Sequence, residues 1–460
     1  SKIQAFDHHL SHAYCAYYLS NFAYKGDTLT LTFDELGDEI FLTTGIFSNG
    51  YFKGFLTREA SPRVSVKFQN KKYMTSVASI YSNFTEALGL VRSSDEGKVE
   101  ALAAYGKPDK KLLKLLKDTW KVLNKKQGLS LLKFNSKNIE MFYDKNFLQE
   151  WINLIGKENF AATIQCWLEE FIVNYLKSVL NLFNIKKIKI ALAGGAVANV
   201  IMNLKIYEEI KPEEMFIAPP MGDEGAALGS AFISAINNGE NLSWLSEKNF
   251  MPYFGPCINN NEVLLSIKKF KNSKIKIKKY SQKKLIEMLS KDIISGKVCC
   301  LARGKLEYGP RALGNRSIIA LPTDRKVRDR INSEIKRRPS YQPFCPSVLE
   351  IDREELFIDS FNHKHMAIAF RMKKIYIRKY PSACHIDGTA RPQFISEKDN
   401  PFYFSLLSSI KEKIGHGILI NTSFNLHGRS MVCSADDAIR DFLDCNLDSM
   451  ILGDYYVSIN

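Results

Sequence analysis

The sequence predicts an α/β protein built in two halves that part near residue 250. Three observations carry this. At 460 residues the chain exceeds one ordinary domain. In both halves, short runs of apolar residues alternate with longer segments of helical spacing. Between them, residues 237–256 carry Asn-Asn-Gly and Phe-Gly-Pro punctuation and few apolar repeats, as a linker or junction does. Hydrophobic residues make up 45% of the chain, enough to core both halves.

In the first half, residues 29–33 and 188–192 read as strands. Residues 161–183 form a helix, because Ile164, Trp167, Leu168, Phe171, Ile172, Tyr175 and Leu176 recur at helical spacing. Residues 107–146 are lysine-rich and weakly patterned, and are expected to be a helical insertion on the surface. In the second half a helix over 283–295 feeds a strand over 297–302. Further strands are expected at 366–372, 417–420 and 450–452, and a helix at 435–443.

No run of eighteen apolar residues appears, which argues against a membrane span, and no signal peptide pattern leads the chain. Nine cysteines are scattered without a Cys-x-x-Cys pair, so reduced thiols of a cytoplasmic protein fit best. The net charge of +15 is spread over dispersed lysines, which weighs against nucleic acid and suits an anionic small molecule.

Four constellations could carry chemistry. In Asp7-His8-His9-Leu10-Ser11-His12-Ala13, His8 and His12 share one helical face and could present two imidazoles to a metal. Spacing alone leaves a polar helix start equally open. Pro219-Pro220-Met221-Gly222-Asp223-Glu224-Gly225 delivers an acidic pair to a helix start. Asp223 is placed to be a third ligand or an N-cap. Leu192-Ala193-Gly194-Gly195-Ala196-Val197-Ala198-Asn199 is a strand emptying into a glycine turn, which can hold adenosine or phosphate against a helix N-terminus. Nucleotide-loop readings also apply around Asp34 and around Glu96. The fourth is Ala302 to Ser317, where Arg303, Arg311 and Arg316 sit among glycines directly after a strand. Arginine forks suit phosphate or carboxylate oxygens, and glycine lets a backbone come close. Lys336, Arg391 and the Asn421-Thr422-Ser423-Phe424-Asn425 turn could join this loop in one anion cradle.

Taken in order, His-His-x-x-His-Ala, Glu-Gly-Lys, Ala-Gly-Gly, Gly-Asp-x-Gly-x-Ala-x-Gly, Gly-Pro-Arg-Ala-Leu-Gly-Asn-Arg-Ser, Asp-Gly-Thr-Ala-Arg-x-Gln and Asn-Thr-Ser-Phe-Asn run the length of the chain. This set resembles the carbamoyltransferase family that includes NodU and the tobramycin and cephalosporin O-carbamoyltransferases. The resemblance implies an actin-like ATPase domain over 1–250, similar to threonylcarbamoyl transferases, and a YrdC-like α/β domain over 251–460. It implies that carbamoyl phosphate and ATP, with magnesium, yield carbamoyl-adenylate, and that the carbamoyl group passes to a hydroxyl of a sugar or secondary metabolite with Fe(2+) assisting. By motif, His8, His12 and Asp223 would hold the iron, and Gly194, Gly195 and Asn199 would lie near the adenosine. Arg311, Lys336, Arg391, Asn421 and Ser423 would hold the phosphates, with Arg311, Lys336, Asp34 and Glu96 as the catalytic set. A homo-oligomer is left open.

The chain departs from the family pattern at four places. Gln342 stands for an arginine at the phosphate pocket, Glu35 for a glycine, Glu100 for a methionine, and Arg429-Ser430 for Glu-Pro. The family's opening strands, which precede the histidine motif, are not in the sequence, and an N-terminally truncated first domain is expected. Two other readings stand beside the leading one: carbamoyl or acyl transfer to a nucleic-acid base, and a degenerate homologue that binds without turnover.

Overall fold

The structure is a computed structural model describing residues 3–66, 71–247, 251–270 and 274–459. The chain divides into two compact units, residues 1–250 and 251–460. Among the described residues, no helix is long and apolar enough to cross a membrane.

Unit 1 opens with helix α1 (His8–Leu19), followed by strands β1 (Asp27–Gly37), β2 (Ile40–Ser48) and β3 (Tyr51–Ala60). A small hairpin, β4 (Arg63–Val66) and β5 (Lys71–Met74), precedes helices α2 (Val77–Ala87), α3 (Glu96–Ala103) and α4 (Lys110–Thr119). A second hairpin, β6 (Trp120–Gln127) and β7 (Ser130–Phe134), leads into α5 (Ser136–Met141), α6 (Lys145–Ile155) and the long α7 (Lys157–Leu182). Strand β8 (Lys189–Ala193), α8 (Val200–Ile210), β9 (Met215–Ile217), α9 (Asp223–Asn237) and α10 (Ser243–Glu247) complete the unit.

Its central sheet runs β3-β2-β1-β8-β9. Strands β1, β8 and β9 are parallel, and β2 and β3 fold back antiparallel. The parallel strands are buried through their centres, β8 and β9 as mainly apolar runs and β1 as threonines alternating with Leu29, Leu31 and Phe33, as strands covered on both faces are. Helix α1 is buried almost along its length, with Ala13, Tyr17, Tyr18 and Leu19 in a core shared with Phe47, Ala191 and Phe232.

Two expectations for unit 1 need correction. Residues 107–146 are not all helical: Trp120 to Phe134 form a hairpin whose turn uses Gly128 at φ +64°. Exposed Lys121, Lys125, Lys126 and Lys133 hide the short apolar pattern of Trp120, Val122, Leu131 and Leu132. The expected junction also contains helix α10, while its residues 248–250 lie outside the described residues.

Unit 2 runs β10 (Cys257–Ile258), α11 (Asn260–Lys269), β11 (Ile275–Lys279), α12 (Gln282–Ile294), β12 (Cys299–Ala302), β13 (Gly304–Lys305), β14 (Arg316–Ala320) and α13 (Arg325–Arg330). Then come β15 (Cys345–Leu349), α14 (Arg353–Leu356), β16 (Phe357–Ile358), β17 (Phe370–Met372), α15 (Lys374–Lys379), β18 (Thr389–Ala390) and β19 (Gln393–Ile395). Helix α16 (Pro401–Ile414), β20 (Ile418–Ser423), α17 (Ala435–Asp444), β21 (Ser449–Leu452) and β22 (Tyr455–Ile459) close it.

Eight strands form one sheet in the order β11-β22-β21-β12-β14-β20-β15-β19. Side chains alternate between its faces, so each strand feeds two cores. Cys300, Ala302, Ile318, Ile420 and Met450 face α11 and α17. Cys299, Leu301, Ile319, Leu419 and Ile451 face α12 and α16. The run 366–372 is a strand only at Phe370–Met372. Met366 sits at φ +54° and the Ala367 amide donates to His363 Nε2, so buried apolar residues here line a bend. Asn421 and Ser423, expected just beyond a strand, belong to β20 itself.

Candidate active site

Four side chains of unit 1 converge from three elements. His8 and His12 lie one turn apart on α1, Asp34 is near the end of β1, and Asp223 opens α9. The Nε2 atoms of the two histidines are 3.1 Å apart. Asp34 Oδ2 is 3.3 Å from His8 Nε2 and 3.1 Å from His12 Nε2, and Asp223 Oδ1 is 3.6 Å from each. All four ligand atoms lie within 4.8 Å of one another. Two imidazole nitrogens and two carboxylate oxygens at this spacing fit a divalent transition metal.

Local structure explains each position. Asp7 caps α1 through Leu10 N, and Asp38 accepts the His8 amide, so the first turn is fixed at both ends. The β1–β2 pairing slips between Phe33 and Gly37, a bulge that carries Asp34 out of the ladder. Gly37 is required there, because a Cβ would fall 2.0 Å from the His8 ring. Asp223 is the first residue of α9, after Gly222 as N-cap, and it caps no amide. The N-cap alternative for Asp223 is therefore not what the helix uses.

The charges respond to one another. Burial pushes the Asp34 pKa up, but hydrogen bonds from His12 and His8 outweigh it and hold the carboxyl well below the usual range. The same contact with Asp34 raises the pKa of His8 against its own burial. His9 points elsewhere. Its Nδ1 lies 2.6 Å from Thr32 Oγ1 and its Nε2 3.0 Å from Ile40 O, and burial lowers its pKa to about 4.

The glycine turn after β8 lies against the same strand. A Cβ on Gly194 (φ +98°) would meet Phe33 O at 2.2 Å, and one on Gly195 would come 3.2 Å from Asp34 Oδ1. The N-terminus of α8, however, is already occupied. Asn199 Oδ1 accepts Met202 N, Glu100 Oε1 accepts Ile201 N, and Asn199 pairs its amide with Gln165. A phosphate against this helix end would have to displace a carboxylate, so the expected phosphate seat is replaced by an internal cap. Glu96 Oε1 accepts Ser93 N and closes the turn before α3. Glu35 pairs with Arg92 at the protein surface.

In unit 2 the Arg/Gly loop sorts its three arginines. Arg316 is fully buried and donates to the carbonyls of Arg303, Gly304 and Asn315. Glu307 Oε1 gathers the amides of Leu313, Asn315 and Arg316. Arg303 stacks over Phe402 at 3.7 Å. These two arginines and Glu307 build the loop. Arg311 sits partly exposed on it, and the next carbonyl, Ala312 O, is held by Asn421 Nδ2.

Beside this loop's β20 contact lies a cluster of cations, Lys336 buried and Arg338 and Arg391 half-buried. Lys336 Nζ reaches Ser423 O (2.6 Å), Asn425 Oδ1 (2.6 Å), Asn425 O (3.1 Å) and Ser423 Oγ (3.1 Å). Three of those acceptors are carbonyls, which uses every N–H of an ammonium. Lys336 thus folds the 423–425 turn. Burial, and then Arg338, pulls its pKa down to about 7. Arg338 lies over Phe344 at 4.3 Å and donates through Nε to Asn332 and through Nη2 to Pro343 O. Burial, with Arg391 adding to it, lowers the pKa of Arg338 to about 10, where it is still charged. Arg391 directs Nε and Nη2 at Cys345 Sγ, at 3.0 and 2.7 Å. Among the described residues none of these three cations pairs with a carboxylate, and Nη1 of both arginines has no internal acceptor. Asn421 is 2% exposed, and its amide donors go to Ala312 O and Ser347 Oγ. Its Oδ1 is buried without a donor.

Sequence reasoning had not placed Asp34 with the histidines, nor Gly37 or Arg338 in a site. An acidic residue ending a buried strand, with glycine three residues on, is the available signal for the first two. Arg338 follows Lys336 by two residues inside a motif that departs from the family pattern, which hid it.

Comparison with known proteins agrees with both halves. A family model described as Carbamoyltransferase N-terminus matches residues 1–232, and one described as Carbamoyltransferase C-terminus matches residues 290–458. An uncharacterized protein of Methanocaldococcus jannaschii is 48% identical over 99% of this chain and 74% of its own length. Nodulation protein NolNO of Sinorhizobium fredii is 29% identical over 99% of the chain and 64% of its own length. A 3'-hydroxymethylcephem-O-carbamoyltransferase of Amycolatopsis lactamdurans is 28% identical over 52% of the chain and 43% of its own length. Among solved structures, full-length HypF in its phosphate- and nucleotide-bound form aligns with a TM-score of 0.27 and 13% identity over 40% of this chain and 22% of that one, too little to carry an argument. With the two models matched in order along the sequence, the chain belongs to the carbamoyltransferase family.

Proposed function

We propose that this transferase makes carbamoyl-adenylate in unit 2 and passes the carbamoyl group to an acceptor hydroxyl in unit 1. The observation that carries the first half is the cation cluster of Lys336, Arg338 and Arg391, whose hydrogen bonds all go to neutral groups. Buried charge without a counter-charge is costly, and an anionic ligand supplies the missing charge. Arg338 and Arg391 would bind phosphate oxygens through their unengaged Nη1 groups, with Arg311 as a further cation from the loop. The orphan acceptor Asn421 Oδ1 suits a carbamoyl N–H. Water and ATP would convert carbamoyl phosphate to carbamoyl-adenylate, releasing phosphate and pyrophosphate, and fixed cations offset the charge that gathers on the leaving groups.

In the second half, attack of the acceptor oxygen on the carbamoyl carbon would expel AMP. A ferrous ion held by His8, His12, Asp34 and Asp223 would act there as a Lewis acid. Asp34 orients both imidazoles, and the α1 and β1 backbones fix their separation. The β3-β2-β1-β8-β9 order, with two antiparallel strands beside a parallel set, supports an actin-like reading of unit 1. A nucleotide phosphate would bind elsewhere than at the α8 N-terminus, whose Ile201 and Met202 amides are already taken by Glu100 and Asn199.

Pyrophosphate release from ATP and carbamoyl phosphate, followed with and without Arg338→Ala, tests the reading. Release that depends on Arg338 supports it. ATP-dependent release untouched by the substitution would remove the cluster from the reaction.

A further inference from the structure

A cavity in unit 1 is lined by none of the residues of the histidine and aspartate cluster. It has a volume of about 480 Å³ and opens between the end of α4, strand β6 and one face of α7. Its floor includes Trp120, Trp167 and Phe171, which are 3%, 1% and 4% exposed. With their faces buried among other side chains, these rings offer no platform on which a base could stack. What remains for a ligand is polar.

Asn124, Asn174, Ser178 and Asn181 line the groove, the three asparagines exposed, and among the described residues none of the four side chains makes a hydrogen bond within the protein. Amides and a hydroxyl each donate and accept, the mixed pattern that a polyol's hydroxyls require. Lys117, Lys121 and Lys177 line the same groove beside Glu170, and each of the three meets a carboxylate. The lysines are roughly half exposed and held only in surface ion pairs, with Glu170, Asp118 and Glu209, which are weak and easily exchanged. We propose that this groove binds an acidic oligosaccharide, with the amides on its hydroxyls and the lysines on its carboxylates. The assignment does not depend on the carbamoyl-adenylate reading, because no residue of either cluster lines the groove.

Calorimetric titration of the full chain with trigalacturonate, a heparin tetrasaccharide, neutral maltotriose and AMP tests it. At least one acidic saccharide is expected to bind, and maltotriose about tenfold more weakly or not at all. Asn174→Trp, which fills an exposed part of the groove, should abolish binding while leaving pyrophosphate release intact. Lys121→Glu should weaken binding about tenfold. Because both positions are exposed, a circular dichroism spectrum matching the parent chain will show that the variants fold. Failure of both acidic probes, equal binding of maltotriose, indifference to Asn174→Trp, or AMP bound in preference to the saccharides each overturns the proposal.

Discussion

The two clusters are unbalanced in opposite senses. In unit 1, short side chains bring two carboxylates and two imidazoles together, and the polar atoms converge on a point that a cation would fill. In unit 2, long side chains bring three cations together around neutral acceptors, and an anion is what they lack. In the first, each ligand leaves a helix turn or a strand bulge directly. The second is held by the loops themselves, with Lys336 tying the 423–425 turn and Asn332 clamping Arg338. One site therefore depends on backbone spacing, the other on a network of side chains.

The largest effect should come from breaking the first. If the unit 1 cluster holds iron as proposed, the purified parent chain should contain it, and His12→Ala should lose it and cut carbamoyl transfer more than about 100-fold. Elemental analysis decides it, and iron retained at parent stoichiometry would sink the ligand assignment. Asp34→Asn should follow in the same assay with a smaller loss, since the amide keeps one oxygen but loses the charge.

In unit 2, removing a charge-assisted contact costs about 1.5–3 kcal/mol. Arg338→Ala should therefore lower kcat/KM for pyrophosphate release about 10- to 100-fold, and unchanged kinetics would exclude Arg338 as a phosphate ligand. Next in size is a pH effect. The Lys336 pKa of about 7 lies far below the usual lysine range, so its ammonium is complete below pH 7 and is given up as pH rises through it. Binding of non-hydrolysable ATP should weaken severalfold between about pH 6 and 8, and Lys336→Arg should flatten the profile. A flat profile in the parent chain contradicts this.

The smallest effect lies outside both clusters, where opposite charges do not meet. Burial raises the Glu169 pKa to about 6, above the ordinary carboxylate value of 4.5. Its stabilising contribution is full below pH 4.5 and lost as pH rises through 6. Urea unfolding should show the parent chain losing about 1–2 kcal/mol between those limits relative to Glu169→Gln. Equal losses in the two proteins would remove Glu169 as the cause.

The same contrast governs what could be read in advance. His8 and His12 announced a shared face because helical spacing is local, and Asp223 followed a glycine turn that starts a helix. Asp34 did not announce itself, since the bulge that turns its carboxylate inward exists only once β1 meets β2. Strands 188–192 and 450–452 were visible because buried parallel neighbours favour apolar runs, and 29–33 because its leucines and phenylalanine alternate with β-branched threonines. The hairpin of β6 and β7 was not, because lysines fill its exposed positions. In the Arg/Gly loop, composition marked three arginines alike, and only packing shows that Arg316 and Arg303 serve the loop. Arg338 needed tertiary contacts with Phe344 and Asn332 to stand out.

Helix α9 meets α1 at Gly229, where a Cβ would fall 1.8 Å from Ser11 O. The backbones touch, with no side chain between them to yield. That contact is a gauge block, fixing how far Asp223 stands from the α1 histidines and hence the radius of ion they can enclose. Under the proposed metal role, choice among metals would be written partly in residues that no metal touches. Gly229→Ala would wedge the helices apart and tilt uptake toward the larger ion when manganese and zinc compete for the protein.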